Sequence, residues 1–83
     1  MKMESQELEL FRGFERDSRW FHENVPVLRA KDFTGKFVAV ANETPIAADK
    51  NIDNVIKIVE KEGKNPAYVF IDFVYPEGFT LLL

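Results

Sequence analysis

The sequence predicts an α+β fold, in which an N-terminal amphipathic helix is followed by a ββαβ unit with a mainly antiparallel three-stranded sheet. Apolar residues recur with helical spacing at the start of the chain, with strand spacing after Gly35, and with helical spacing again after Ala48. A chain of 83 residues makes one domain at most. We therefore expect a single domain over residues 1–83, with the first helix at 4–24 and the ββαβ core at 36–74.

The N-terminal helix is predicted from one apolar stripe. Its members are Met3, Leu10, Phe11, Phe14, Phe21 and Val25. The opposite side carries Arg12, Arg16 and Arg19 with carboxylates within one turn, which is typical of a solvated, salt-bridged face. Gly13 is unfavourable inside a helix, so it indicates a bend or a close packing contact.

Trp20 falls outside this stripe and is too large to be left in water without a reason. Either the connector that follows folds back over it, which is the favoured alternative, or another chain covers it. Pro26 ends the helical register. The connector is predicted to contain one short helical turn around Leu28.

A hairpin is predicted from "KFVAVA" and "TPIAA", which flank the two-residue loop Asn42-Glu43. Asn42 suits such a loop, whereas Glu43 does not. The predicted pairs are Ala41 with Thr44, Ala39 with Ile46 and Phe37 with Ala48, which puts Val38, Val40 and Ala47 on the opposite face. Pro45 confines its strand to a sheet edge.

The second helix is predicted at about 52–62, between the N-cap residue Asn51 and the stop at Gly63. The segment "AYVFIDFVY" then reads as a strand. Its two faces carry Val69, Ile71 and Phe73 on one side and Tyr68, Phe70, Asp72 and Val74 on the other. A right-handed crossover places this strand beside "FVAVA", which becomes the antiparallel centre of the sheet.

Both faces of this sheet are apolar, and the second helix covers one of them. Either the N-terminal helix crosses the other face in a three-layer arrangement, or a partner packs there; the sequence favours a homodimer or another protein partner. The tail "FTLLL", a candidate fourth strand, also favours pairing with another chain. The residues expected at the interface are Trp20, Val38, Val40, Phe70, Val74, Leu81, Leu82 and Leu83. The predicted function is a non-catalytic protein–protein interaction or dimerisation module.

The alternative is a small-ligand-binding or hydrolytic domain. Ser18 and His22 stand four residues apart on the first helix, close enough for a hydroxyl–imidazole hydrogen bond. Asp49, Asp53 and Asp72 could add carboxylates, although helix capping explains the first two more simply. A regular helix lacks the strained turn and paired donors of an oxyanion hole, so we expect no catalytic residues.

Composition excludes several classes of function. There is no cysteine and only one histidine, so neither a disulfide nor a usual zinc site is expected, and no cofactor is predicted. The net charge of −3, without a basic stripe, argues against nucleic acid. The chain has neither an apolar run of membrane-spanning length nor a signal peptide, so we expect no membrane association and a cytoplasmic location.

The sequence resembles an uncharacterised family of short prokaryotic α+β proteins, the domain of unknown function numbered 5678. The resemblance covers about residues 20–75. It lies in a Trp-led helix, an aromatic-Gly-Lys-aromatic-Val-Ala strand, a hairpin and a Lys-Asn-led helix, here Trp20, Phe33, Gly35, Lys36, Phe37, Val38, Ala39, Lys50 and Asn51. Relatives commonly have Gly at the second turn position, where this chain has Glu43. The resemblance implies a fold rather than an activity.

Overall fold

The computed structural model describes the backbone of residues 5–78 and the side chains of residues 11–78. Its elements are α1 (Ser5–Glu23), α2 (Val25–Ala30), β1 (Phe37–Ala41), β2 (Thr44–Asp49), α3 (Ile52–Lys61), a 3-10 turn (Pro66–Tyr68) and β3 (Phe70–Phe73). The strand order is β2-β1-β3, with β1 antiparallel to both neighbours. This confirms the predicted α+β class and the ββαβ topology. The candidate fourth strand, at 79–83, lies outside the described residues.

The two sheet faces carry separate cores. The first core lies under α1 and α2 and contains Phe21, Leu28, Val38, Val40, Phe70 and Val74, with Trp20 and Phe33 packed against it. The second core lies under α3 and contains Ala39, Ala47, Val55 and Val59. The small side chains of Ala39 and Ala47 leave room for α3 to approach the sheet. The arrangement is the three-layer alternative, so the expectation of a face left for a second copy is wrong: α1 and α2 cover it.

Helix α1 is present as predicted, but the face that it buries is rotated from the apolar stripe. Phe11 and Phe14 are 53% and 41% exposed, whereas Phe21 and the charged Asp17 are buried. On the buried face, the Asp17 carboxylate accepts a hydrogen bond from the hairpin turn. Gly13 makes no close packing contact, because an added Cβ would meet only the Arg16 Nη2 atom at 3.9 Å.

The β1–β2 hairpin turns at Asn42 and Glu43, whose φ angles of 53° and 57° define a type I′ turn. Ala41 pairs with Thr44 as predicted. Beyond that pair a bulge follows Pro45, so the predicted register is wrong: Ala39 pairs with Ala47, and Phe37 with Asp49. The extra residue moves Ala47 onto the second core and Ala48 against the first.

Local signals fixed the boundaries of α3. The Asn51 side chain accepts a hydrogen bond from the Asp53 N–H at 2.9 Å, and Gly63 follows the C-cap with a φ of 80°. The predicted third strand is shorter than expected. Its first residues form the 3-10 turn, because Asn65 accepts from the Ala67 N–H at 3.0 Å and so caps that turn.

Candidate functional site

The residues predicted for an interface divide into three groups. Val38, Val40, Phe70 and Val74 are buried in the first core, between 0% and 7% exposed. Trp20 is half-buried against the same core, which also contains Leu28 from the connector that follows α1. Leu81, Leu82 and Leu83 lie outside the described residues. No surface of the described chain therefore offers the four core residues to a partner.

A different apolar surface lies at the outer edge of β3. The Phe14 ring packs edge-on against Phe70 at a centroid distance of 5.4 Å, which sets this side of α1 beside β3. Phe11 stands one turn earlier on the same side. On the α3 side of the edge, the Phe73 ring contacts Tyr75 at 4.9 Å. We call this surface, formed by Phe11, Phe14, the outer edge of β3, Phe73 and Tyr75, the β3 flank.

The outer edge of β3 has no strand partner among residues 5–78. The Val74 N–H donates to the Lys36 carbonyl at 2.9 Å. In an antiparallel ladder every second residue bonds to the neighbouring strand, so Asp72 and Phe70 also direct their backbone groups toward β1. The backbone groups of Ile71 and Phe73 consequently point away from β1. The Asp72 carboxylate accepts from the Phe73 N–H at 2.7 Å, so within β3 the Ile71 N–H is the outward donor that remains available.

Asp72, the polar residue in an apolar strand, is half-exposed on the α1 face of the sheet. Its Oδ2 lies 3.6 Å from the Nε2 of His22, and its side chain is 41% exposed. The His22 ring also packs against Phe70, at a centroid distance of 6.0 Å. The Asp72 carboxylate is tolerated in this strand because it contacts solvent, His22 and the Phe73 N–H.

Ser18 and His22 lie on one side of α1, as predicted, but they do not make the contact that an activated nucleophile requires. The His22 Nδ1 lies 2.8 Å from the backbone oxygen of Ser18, and not from its hydroxyl. Because a carbonyl oxygen can only accept, Nδ1 carries hydrogen and donates to it. The ring is then oriented by the helix backbone, and its Nε2 faces Asp72.

The other two carboxylates have capping roles. Asp49 accepts from the Asn51 N–H at 2.8 Å and from the Asn54 amide at 3.2 Å. The Asn51 hydrogen bond chiefly, and the Asn54 amide next, hold the pKa of Asp49 below its usual value. Asp53 lies in the first turn of α3, where it complements the helix dipole. Among the residues that the structure describes, no three acidic or histidine side chains form a group that could hold a metal ion.

A cleft of about 770 Å³ opens between α1, the hairpin turn and the segment that follows α3. Its polar and aromatic lining consists of Arg12, Arg16, Asp17, Asn42, Lys64, Asn65 and Tyr68. Gly13 lies on the α1 side of the cleft, where the absence of a side chain leaves space. We call this feature the basic cleft.

Hydrogen bonds across the basic cleft join α1 to the hairpin. The Arg16 Nη2 donates to Asn42 Oδ1 at 3.0 Å, and its Nε lies 3.4 Å from Asp17 Oδ1. The same Asp17 oxygen accepts from the Glu43 N–H at 2.8 Å. Asp17 is 6% exposed, so this bond satisfies a buried carboxylate and holds Glu43 in its left-handed conformation.

Hydrophobic and charge spacing predicts a solvated face for Arg12 and Arg16 and does not reveal the basic cleft. Arg12 and Arg16 are four residues apart, so they share one side of α1 with Gly13 between them. That spacing around a glycine is the one local signal that could have pointed to a cleft. Lys64 and Tyr68 join them only through the fold.

The chain belongs to the family of unknown function DUF5678. The family model matches residues 29–72, more than half of the 83-residue chain. This confirms the resemblance to a domain of unknown function, over a range that runs from the end of α2 into β3. Helix α1 lies outside the matched range. No curated protein and no solved structure matches the chain.

Helices in the described part of the chain are all too short or too polar to cross a bilayer.

Proposed function

We propose that this chain is a non-catalytic protein-interaction module that forms a homodimer through its β3 flank. The observation that carries the proposal is the exposure of two phenylalanines, Phe11 at 53% and Phe14 at 41%, beside a strand edge that no other strand in the described residues covers. An open edge next to exposed aromatic rings favours pairing with another chain.

A second copy fits this edge because an antiparallel pair of identical strands has two-fold symmetry. We put the axis at Ile71, whose N–H and C=O point outward, so that Ile71 pairs with the same residue of the partner. Phe73 of each copy then lies opposite Val69 of the other. The β2 edge is less suited to pairing, since Pro45 lacks an N–H and the bulge distorts the strand.

The side chains carry most of the expected affinity. Asp72 occupies one outward donor, which limits the main-chain pairing to the vicinity of Ile71. In the two-fold dimer, Phe11 and Phe14 of both copies are buried, and this burial of apolar surface favours association. The prediction that Leu81, Leu82 and Leu83 also join the interface stays a prediction.

The hydrolytic alternative has less geometric support. His22 Nδ1 is engaged by a backbone carbonyl rather than by the Ser18 hydroxyl, and the nearby carboxylate Asp72 lies on the other side of the ring. Neither nitrogen is placed to accept the hydroxyl proton.

The test is analytical ultracentrifugation over a range from about 1 to 500 μM, which brackets a typical weak dimer constant. The variant Phe11→Gln/Phe14→Gln replaces the exposed rings with a good helix former. Its matched control is Val27→Gln/Ile52→Gln, which alters residues of similar exposure, 47% and 40%, away from the flank. We expect a concentration-dependent dimer whose dissociation constant rises by about tenfold or more in the flank variant and stays unchanged in the control.

Hydrogen exchange provides a second readout at the proposed axis. The Ile71 amide should exchange more slowly at high protein concentration, because it is hydrogen-bonded only in the dimer. A wild-type chain that remains monomeric throughout, or a dimer that the flank variant leaves intact, would refute the proposal.

A further inference from the structure

We propose that the basic cleft binds a nucleotide, that is, a small molecule with a phosphate group and an aromatic base. This site is separate from the β3 flank and does not depend on self-association. The phosphate would be held by Arg12, Arg16 and Lys64, and the base would stack on Tyr68.

The cleft is locally positive although the whole chain carries a net charge of −3. Arg12 and Lys64 line it without a carboxylate partner among the described residues. The acidic side chain of the cleft, Asp17, already accepts from the Glu43 N–H and lies against Arg16. An anion entering the cleft therefore meets Arg12 and Lys64 as cations without a carboxylate partner, together with the Arg16–Asp17 pair.

A phosphate group suits these cations. Arginine presents a planar fork of donors to phosphate oxygens, and lysine adds a compact positive charge. Arg16 is already oriented by its bond to Asn42, which reduces the conformational entropy lost when it binds an anion. Arg12 lies on α1 and Lys64 lies in the segment after α3, so the two side chains would contact different oxygens of a phosphate.

Tyr68 supplies the surface for a base. Its side chain is among the exposed large apolar groups, at 56%, and it lines the same cleft as the cations. Aromatic rings stack on nucleobases, whereas inorganic phosphate has no group that stacks on an aromatic ring. The cleft volume of about 770 Å³ lies in the range of small-molecule sites, and Gly13 keeps the α1 wall open.

The experiment is a titration of the 15N-labelled full chain with ADP, followed by two-dimensional NMR. Inorganic phosphate and adenosine are titrated separately. The proposal predicts saturable shifts confined to amides around Gly13, Asn42 and Lys64, with ADP binding about tenfold or more tightly than either fragment, since both halves of the site contribute.

Charge-matched variants separate a built site from general attraction. Arg12→Gln/Lys64→Gln should weaken ADP binding by about tenfold or more. Lys31→Gln/Lys57→Gln removes the same charge from exposed positions outside the cleft and should leave the affinity within about twofold. Tyr68→Leu should weaken ADP binding and leave phosphate binding unchanged.

Three results would overturn the proposal: no saturable shift with ADP at millimolar concentration, equal weakening in both charge variants, or equal affinities for ADP and inorganic phosphate. Each of these results leaves the dimer test unaffected, because the ultracentrifugation is carried out without a nucleotide.

Discussion

Replacing Asp17 by alanine should destabilise the chain more than its position on a polar helix suggests. Asp17 is 6% exposed, and its Oδ1 accepts from the Glu43 N–H across the interface between α1 and the hairpin. Glu43 has a φ of 57°, a conformation that costs a non-glycine residue about 1–2 kcal/mol. The hydrogen bond is the contact that holds this strained turn against α1.

The magnitude follows from two contacts. A hydrogen bond to a charged acceptor contributes about 1.5–3 kcal/mol, and the lower end applies because water can reach the N–H of an exposed turn. The ion pair with Arg16 at 3.4 Å is partly exposed and adds less than about 1 kcal/mol. We expect the free energy of unfolding to fall by about 1.5–2 kcal/mol, which lowers the Tm of a chain of this size by about 6–16 °C.

Urea denaturation followed by circular dichroism measures the change. Asp17→Asn keeps an oxygen acceptor in place and should lose less than about half as much stability as Asp17→Ala. Glu15→Ala alters an exposed neighbour on α1 and should stay within about 0.5 kcal/mol of wild type. Faster hydrogen exchange at the Glu43 amide should accompany the loss. A cost below about 0.5 kcal/mol for Asp17→Ala, or an equal cost for Asp17→Asn, would refute the role of this bond.

Two further predictions concern stability. Gly13→Ala should raise the free energy of unfolding by about 1 kcal/mol in urea titrations, because alanine favours the helix and its Cβ meets no atom closer than 3.9 Å; a decrease would contradict the open wall of the cleft. The hydrogen bonds from Asn51 and Asn54 lower the pKa of Asp49 from the usual 3.8, so its stabilisation is present above that pH and is lost as the pH falls through the lowered, folded-state pKa. Asp49→Asn should therefore flatten the fall of Tm below about pH 4 and leave its slope above about pH 5 unchanged; an acid limb that stays as steep as in wild type would contradict this.

The elements that could be predicted well are those specified by neighbouring residues. Helix α3 begins at an Asn51 cap and ends before Gly63, and both signals lie within the segment itself. The hairpin was also predictable, since Asn42 and its flanking strands are contiguous. Its register was not, because the bulge depends on how Pro45 meets β1 at the sheet edge. A one-residue shift then moved Ala47 to the other face.

The buried face of α1 could not be predicted from hydrophobic spacing, because a carboxylate occupies its centre. Hydrophobic periodicity treats Asp17 as a surface residue, whereas its partner is a backbone group 26 residues away. The same rotation exposes Phe14 and turns Arg16 toward Asn42. Two long-range hydrogen bonds, one at Asp17 and one at Arg16, thus join this side of the helix to the hairpin turn.

Helix α1 links the two proposals, although it lies outside the residues that match the family model. The matched range, 29–72, supplies the sheet, Lys64 and Tyr68. Val38 and Val40 in that range are fully buried only because the helices that precede β1 cover them. A fragment limited to the matched residues would expose this face and would lack both Arg12 and Phe14. Such a fragment has neither the complete basic cleft nor the complete β3 flank. Nucleotide binding and dimerisation must therefore both be tested in the full chain.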